Sequence, residues 1–237
     1  MLRRHRGFTV DQRTAGPEEP CGYHSRMGGG GTRGQILLNA AKLFGSRGYY
    51  GTTTRDIAES VGIRQPSLFH HFASKQLILA ELVDADLAQA MSRFAESAAL
   101  DLGPAERFHF FITVSSRDYL TLPYDARGYY SDAVLSEPEF APQRRAIERH
   151  HAHIRSLVHD GIAAGEFRAI DPDFVQRAVI GLQFEAMRER ETTAGAPVAE
   201  RPLQAADFVL RAVLVDPERT EEVRRSTISR LDDLVAS

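Results

Sequence analysis

Three groups of side chains in this sequence have types and spacing suited to chemistry. The first is the run Arg64, Gln65, Pro66 and Ser67, followed by His70, His71 and Lys75. Arginine can bond two atoms of a guanine edge, and glutamine two atoms of an adenine edge. A proline ring can meet a thymine methyl by apolar contact. Hydroxyl, imidazole and ammonium groups donate to phosphates. Together this is the chemistry of nucleic-acid binding. The second group lies in "RHHAHIRSLVHD", where His150 and His153 are i, i+3 neighbours and His109 could approach them. Such a set could hold a metal or a polar ligand, but a solvated helix surface is the simpler account of it. The third group is aromatic: Phe108, Phe110, Phe111, Tyr119, Tyr124, Tyr129 and Tyr130. Ring walls with a few hydroxyls suit an apolar effector of limited polarity, although ordinary core packing explains any one of them. Phe108, Phe111, Tyr119, Tyr124 and Tyr130 are the effector-pocket candidates.

The adjacent pair His70-His71 is not a metal site. Neighbouring helix positions point about 100° apart, and no third ligand is near in sequence. No metal or cofactor is expected. Nothing resembles a nucleophile motif, a phosphate-cradling glycine loop or a paired-histidine zinc helix. The glycine run 28–31 follows no strand, so it is not a dinucleotide fingerprint.

The elements that must position the first group are helices. Ile36, Leu37, Ala40, Leu43 and Phe44 recur on one helical face. Gly48 and Gly51 stop that helix. Thr53 or Thr54 can cap a second, with Ile57, Ala58 and Val61 inward. Gly62 suits the left-handed residue at its end. Pro66 fits the first turn of a third helix, where its missing N–H has no partner anyway. Leu68 and Phe72 form that helix's buried side. Ser74 caps a long fourth helix running through Leu77, Leu82, Ala85 and Ala88 toward Leu100. The second and third helices, joined by a glycine-containing turn, form a helix-turn-helix. The remainder is helical, with breaks at Pro123, near Pro138, at Gly165, at Pro172, across 192–202 and at Pro217. The expected fold is all-α. Residues 1–31 form a disordered tail, 32–80 a helix-turn-helix DNA-binding domain, and 81–237 a helical effector-binding and dimerisation domain. Met27, directly before the glycine run, is the expected true start.

Charge follows the same division. Thr32 to Ala80 holds six basic residues against two acidic, within a chain of net charge -3. A basic module on an acidic body points to a polyanion at one end. No run of about 18 apolar residues exists, so no membrane span is expected. A single cysteine, Cys21, fits a reducing cytoplasm.

Ala40, Leu43-Phe44, Gly48, Thr53-Thr54, Ile57-Ala58, Gly62, Leu68-Phe69, His71-Phe72 and Ser74-Lys75 stand in the order of the DNA-binding domain of the TetR family of bacterial transcription regulators. The stretch from about 33 to 80 resembles that family. The resemblance implies that Thr54 and Arg55 begin the helix braced on the backbone. Arg64, Gln65, Pro66 and Ser67 match the turn that reads bases and touches phosphate. His71 and Lys75 match phosphate contacts. Phe69 stands where the family usually has a tyrosine whose hydroxyl bonds a phosphate, so only its packing carries over, at a cost of about 0.5–1.5 kcal/mol for one hydrogen bond.

Two late segments are apolar on several sides: Phe174, Ala178 and Leu182 with Ile180, Phe184 and Met187, and then Leu203 to Leu214 including Phe208 and Val209. Helices of that kind need partners on most sides. The resemblance implies a homodimer through two late helices. Phe174, Ile180, Phe184, Met187, Phe208 and Val209 are its candidates. The expected function is a ligand-responsive regulator, a repressor by the family's usual sign, that binds a palindromic double-stranded DNA operator and is released by a small-molecule effector. Two alternatives are an all-helical metal-dependent enzyme using the His150–His159 region, and a regulator acting through protein partners without DNA binding.

Overall fold

The computed structural model describes residues 31–189 and 200–236. The expected tail therefore lies outside the described residues, apart from Gly31, and so does Met27. The chain runs through α1 (Thr32–Arg47), α2 (Thr54–Val61), α3 (Gln65–His71), α4 (Lys75–Ala99), α5 (Pro104–Thr121), the short α6 (Asp132–Leu135), α7 (Ala141–Ala163), α8 (Pro172–Glu189), α9 (Arg201–Val213) and α10 (Thr220–Ala236). Among the described residues there is no strand beyond one isolated bridge, Phe167 to Leu214. The all-α expectation holds.

The local signals work as their chemistry dictates. Thr53 caps α2: its Oγ1 accepts from the Asp56 N–H at 3.1 Å, and the Asp56 carboxylate accepts from the Thr53 N–H at 2.8 Å. Two orphan donors of the first turn are thereby satisfied reciprocally. Gly62 has φ 76 and ψ 25, the left-handed conformation. It lets the N–H of Ile63 reach back to the Ala58 carbonyl at 3.0 Å, closing the helix. Pro66 is the second residue of α3. Ser74 Oγ accepts from the Leu77 N–H at 3.2 Å and starts α4. With 25 residues, α4 is about 37 Å long.

α4 joins two cores. One gathers Ile36, Leu37, Ala40 and Phe44 of α1, Ile57 and Ala58 of α2, Leu68 of α3, and Ile78, Leu79 and Leu82 of α4. It continues into the segment after α5 through Tyr124, Ala126, Tyr129 and Phe140. The other lies among α5, α7, α8, α9 and α10, around Phe108, Phe111, Ile154, Val179 and Leu210. Phe108 and Phe111 are fully buried there.

The second core also takes His109. Its Nδ1 meets Thr227 Oγ1 at 2.8 Å and its Nε2 meets Asp207 Oδ1 at 2.9 Å, with Arg224 donating to the other Asp207 oxygen. The expectation that His109 approaches His150 and His153 is corrected: α5 turns this ring toward α9 and α10. The solvated-surface reading is corrected in part as well. His150 is buried and the His153 ring stacks on Phe94, centroids 4.3 Å apart, because α7 lays this side against α4 and α5.

One backbone contact ties the first core to the segment after α5. The turn Ala126–Gly128 rests on α1 at Phe44 and Gly45. A Cβ on Gly128 would stand 2.1 Å from the Phe44 carbonyl oxygen, and one on Gly45 would stand 2.7 Å from the Asp125 carbonyl oxygen. No side chain can shift to make room where backbone faces backbone. Gly128→Ala should therefore destabilise the protein by about 1–3 kcal/mol, the usual range for overpacking. Urea unfolding would read this, and an unchanged midpoint would show that the turn is not seated on α1.

Candidate nucleic-acid interface

The residues expected to read DNA form one exposed edge. Arg64, Gln65, Pro66, Ser67, Phe69, His70 and His71 are all exposed, whereas Leu68 is fully buried and Phe72 nearly so. α3 is thus anchored by one side and presents the other. The capped α2 lies behind it, and the two helices are stitched at their starts. Gln65 Nε2 donates to Thr54 Oγ1 at 2.9 Å. This brings together two expected contact residues eleven positions apart. Arg55, also exposed, bonds Glu59 at 2.8 Å along the helix surface. The Arg64 guanidinium has no protein partner among the described residues, so its five donors face outward.

Two expectations are corrected. Lys75 is not a freely extended phosphate donor. Its Nζ lies 2.9 Å from both the Tyr49 and the Thr52 carbonyl oxygens and 4.0 Å above the Tyr49 ring. Partial burial holds its pKa below the ordinary lysine value. It pins the start of α4 to the α1–α2 turn, and two of its three protons are engaged. Nor does Phe69 pack in place of a tyrosine. It is 45% exposed, and with Gln65, Pro66 and His70 it lines a shallow notch on the outer face of α3.

The effector-pocket and dimer candidates separate differently from their sequence grouping. A cavity of about 540 Å³ lies between α4, α5, the segment 130–136, α7 and α8. Tyr119 and Tyr130 line it. Phe108 and Phe111 do not, being core, and Tyr124 does not, because its hydroxyl points to Asp86. Ile180 and Phe184, expected at a subunit interface, face this cavity within the chain. Met187 and Val209 are buried in the two cores. The inward stripe of α8 is Val175, Val179, Gln183 and Met187, which leaves Phe174 exposed. Phe174 at 59% and Phe208 at 67% are the two dimer candidates that remain on the surface.

Sequence reasoning missed Asp86, Leu87 and Ile147 near this cavity, and it considered His150 for a metal or polar ligand only together with His153 and His109. The signal for Asp86 was present: an acid within the apolar series Leu79, Leu82, Val83, Leu87 and Ala90 of α4. Its carboxylate accepts from Tyr129 Oη at 2.9 Å and from Tyr124 Oη at 3.4 Å. The Tyr130 hydroxyl is a third one turned to the same carboxyl. Burial pushes the Asp86 carboxyl up to about 7, against the lowering effect of the tyrosine hydroxyls. Burial, with His151 and His153 beside it, pushes His150 down to about 4. Among the described residues no group of three or more His, Cys, Asp or Glu side chains is placed to hold a metal ion.

Residues 36–82 match the family model for bacterial regulatory proteins of the tetR family. The HTH-type transcriptional repressor KstR2 of Mycobacterium tuberculosis is 31% identical over 150 residues, covering 62% of this chain and 75% of that protein. The biofilm operon regulator IcaR of Staphylococcus aureus is 49% identical over 49 residues, 21% of this chain and 26% of that one. Among solved structures, Mycobacterium smegmatis AmtR superposes with TM-score 0.73 at 29% identity, covering 86% of this chain and 96% of that chain. The KstR2 structure from M. tuberculosis gives 0.68 at 25% identity, covering 79% and 97%.

Asp86 makes a pH prediction. Its folded pKa of about 7 lies above the unfolded carboxylate value of about 3.9. Its stabilising contribution is therefore full below about pH 4 and is lost as pH rises through about 7. His150 runs the other way: its folded pKa lies below its unfolded one, so its contribution is full above about pH 6.5 and is lost as pH falls through about 4. The comparison of Asp86→Asn with the parent isolates the first slope. The melting temperature of Asp86→Asn relative to the parent should rise between about pH 4.5 and about pH 7.5. A constant difference across that range would mean that Asp86 titrates like an exposed acid.

Proposed function

Because this chain belongs to the TetR family of bacterial regulatory proteins, we propose that it is a repressor that binds a palindromic operator as a dimer and lets go when a small molecule enters its body. The observation that carries the reading is the exposed edge Arg64, Gln65, Pro66 and Ser67 at the start of α3, held against a capped α2. A recognition helix enters the major groove with its first residues toward base edges. Arg64 and Gln65 are the base readers in this reading, with Pro66 offering an apolar edge. Thr54, Arg55, Ser67 and His71 hold phosphate, and Lys75 contributes mainly by fixing the turn behind them. Residues 32–80 make the reading head, and 81–237 the sensing and dimerising body.

The exposed Phe174 and Phe208 lie on α8 and α9, which pack on one another. In a dimer they would be covered by their counterparts, and two copies of α3 would face successive major grooves about 34–36 Å apart. The cavity beside Tyr119 and Tyr130 is the effector seat. It adjoins the segment that rests on α1 and bonds α4 through Asp86, so an occupant that prefers one arrangement of this segment biases the spacing of the two heads. No helix among the described residues is long and apolar enough to cross a membrane, and the cytoplasm is the proposed location.

The test is binding to DNA from the region upstream of the chain's own reading frame, measured by fluorescence anisotropy across a salt series. Affinity should fall steeply with salt. Gln65→Ala should weaken specific binding by about 1–3 kcal/mol and leave binding to random DNA unchanged. If the substitution weakens both equally, Gln65 does not read a base. If no upstream fragment is bound above random DNA, the repressor reading fails.

A further inference from the structure

The short helix α6 is met from two sides. Asp132, Leu135 and Ser136, spaced i, i+3 and i+4, put one side on the 540 Å³ cavity. From another side, the Ala133 carbonyl oxygen accepts from Tyr50 Oη at 3.1 Å, and the carboxylate of Glu137, just after the helix, accepts from the same hydroxyl. Tyr50 stands in the turn between α1 and α2, 83 and 87 positions earlier in the chain. One hydroxyl therefore crosses from the head to the element that walls the cavity.

A helix of four residues has little stability of its own, so its place is set by what holds it. Val134 and Leu135 are buried. Arg144 of α7, another cavity residue, donates to the Leu135 carbonyl oxygen and, at 2.7 Å, to that of Glu137. Tyr50 supplies the tie on the side of the head. Its side chain is 61% exposed, so little packing holds it and its two acceptors set where it rests. A bond to a carboxylate is about twice as strong as one between neutral groups. The negative charge of Glu137 also favours the ammonium of Lys75, which grips the same turn. That turn is continuous with the reading edge. Tyr49, next to Tyr50, packs on Phe140, centroids 6.1 Å apart. Three residues on, Thr53 caps α2, and Thr54 accepts from Gln65 at the start of α3.

We propose that Tyr50 is a positioning residue for the head: its hydroxyl makes the α1–α2 turn follow α6, and α6 follows the wall of the cavity. An occupant that displaces Leu135 or Ser136, or draws Arg144 from the Leu135 and Glu137 carbonyl oxygens, shifts the acceptors of Tyr50 and with them α2 and α3. This tie is separate from the seat of Gly128 on α1 and from the bond of Tyr129 to Asp86, which hold the earlier part of the same segment. Only its consequence for DNA rests on the reading of the chain as an effector-controlled regulator. The tie itself is a property of the free protein.

The test is hydrogen exchange read by mass spectrometry on the full chain, without DNA or ligand. Tyr50→Phe keeps the ring and removes the hydroxyl. It should quicken exchange of the α6 amides, Val134 to Glu137, about tenfold. Arg144→Met keeps the aliphatic stem and frees α6 on the cavity side. It should quicken exchange across residues 48–57 of the head, also about tenfold, and Arg144→Lys, which retains a donor, should restore most of the protection. In the Tyr50→Phe background, Arg144→Met should leave 48–57 as it is in Tyr50→Phe alone, because the two act through one link. Exchange in α9 should match the parent throughout. The proposal is overturned if Arg144→Met quickens only α6, if it adds its full effect on 48–57 when the Tyr50 hydroxyl is already gone, or if α9 quickens equally, since the whole fold would then have loosened. Because no operator enters these measurements, their failure is distinct from a failure to find bound DNA.

Discussion

The turn Ala126–Gly128 can lie on α1 only because Gly45 and Gly128 leave backbone against backbone. Around that contact the rest is arranged. Tyr129 places its ring against Phe44 of α1, centroids 6.4 Å apart, and its hydroxyl on Asp86 of α4. A single short segment thereby touches the helix that carries the head and the helix that leads into the body. A buried carboxyl at this junction is costly to ionise, and the tyrosine hydroxyls offset only part of that cost. The junction is a polar cluster enclosed by apolar packing, where each hydrogen bond is stronger than in water and an unpaired group is costly.

The head itself is built to be stiff. Its α2 begins with reciprocal caps and ends in a left-handed glycine, and α3 is fastened by Leu68 and Phe72. Lys75 fills the remaining joint, bridging two carbonyl oxygens of the α1–α2 turn from the first residue of α4. Arg33 adds a second tie, paired with Glu81 and lying 4.4 Å over the Phe72 ring. A rigid head presents Arg64 and Gln65 in one geometry, so little conformational entropy is lost on meeting a groove. It also means that a change in the body moves the head as a unit.

The body separates two kinds of polar interior. Around His109, Asp207, Thr227 and Arg224 every group has a partner, and the cluster staples α5, α9 and α10. Between α4 and the segment after α5, several tyrosine hydroxyls converge instead on one buried carboxyl, that of Asp86. The first cluster gives each ring nitrogen and carboxylate oxygen one partner, and the second crowds its donors on a single acceptor. The two late phenylalanines, Phe174 and Phe208, are a third case: large apolar groups on the outside, where a second copy can cover them.

What could be read along the chain was whatever acts over a few residues. Helical periodicity, the Thr53 and Ser74 caps, the left-handed Gly62, Pro66 in a first turn and the inward Leu68 and Phe72 all follow from local backbone geometry. Together they outline a helix-turn-helix on an all-helical body. The order of those residues also carried the family resemblance. What only the tertiary structure decided involves partners far away in sequence. His109 meets side chains 98 and 118 positions later, and Lys75 meets carbonyl oxygens 23 and 26 positions earlier. Ile180 and Phe184 read as an apolar stripe, yet a stripe does not say whether a cavity or another subunit lies opposite. Asp86 stands within the apolar face of α4, and only the fold brings the tyrosines of the segment after α5 to it. Spacing sets which way a side chain points from its own helix; only packing sets what stands there to meet it.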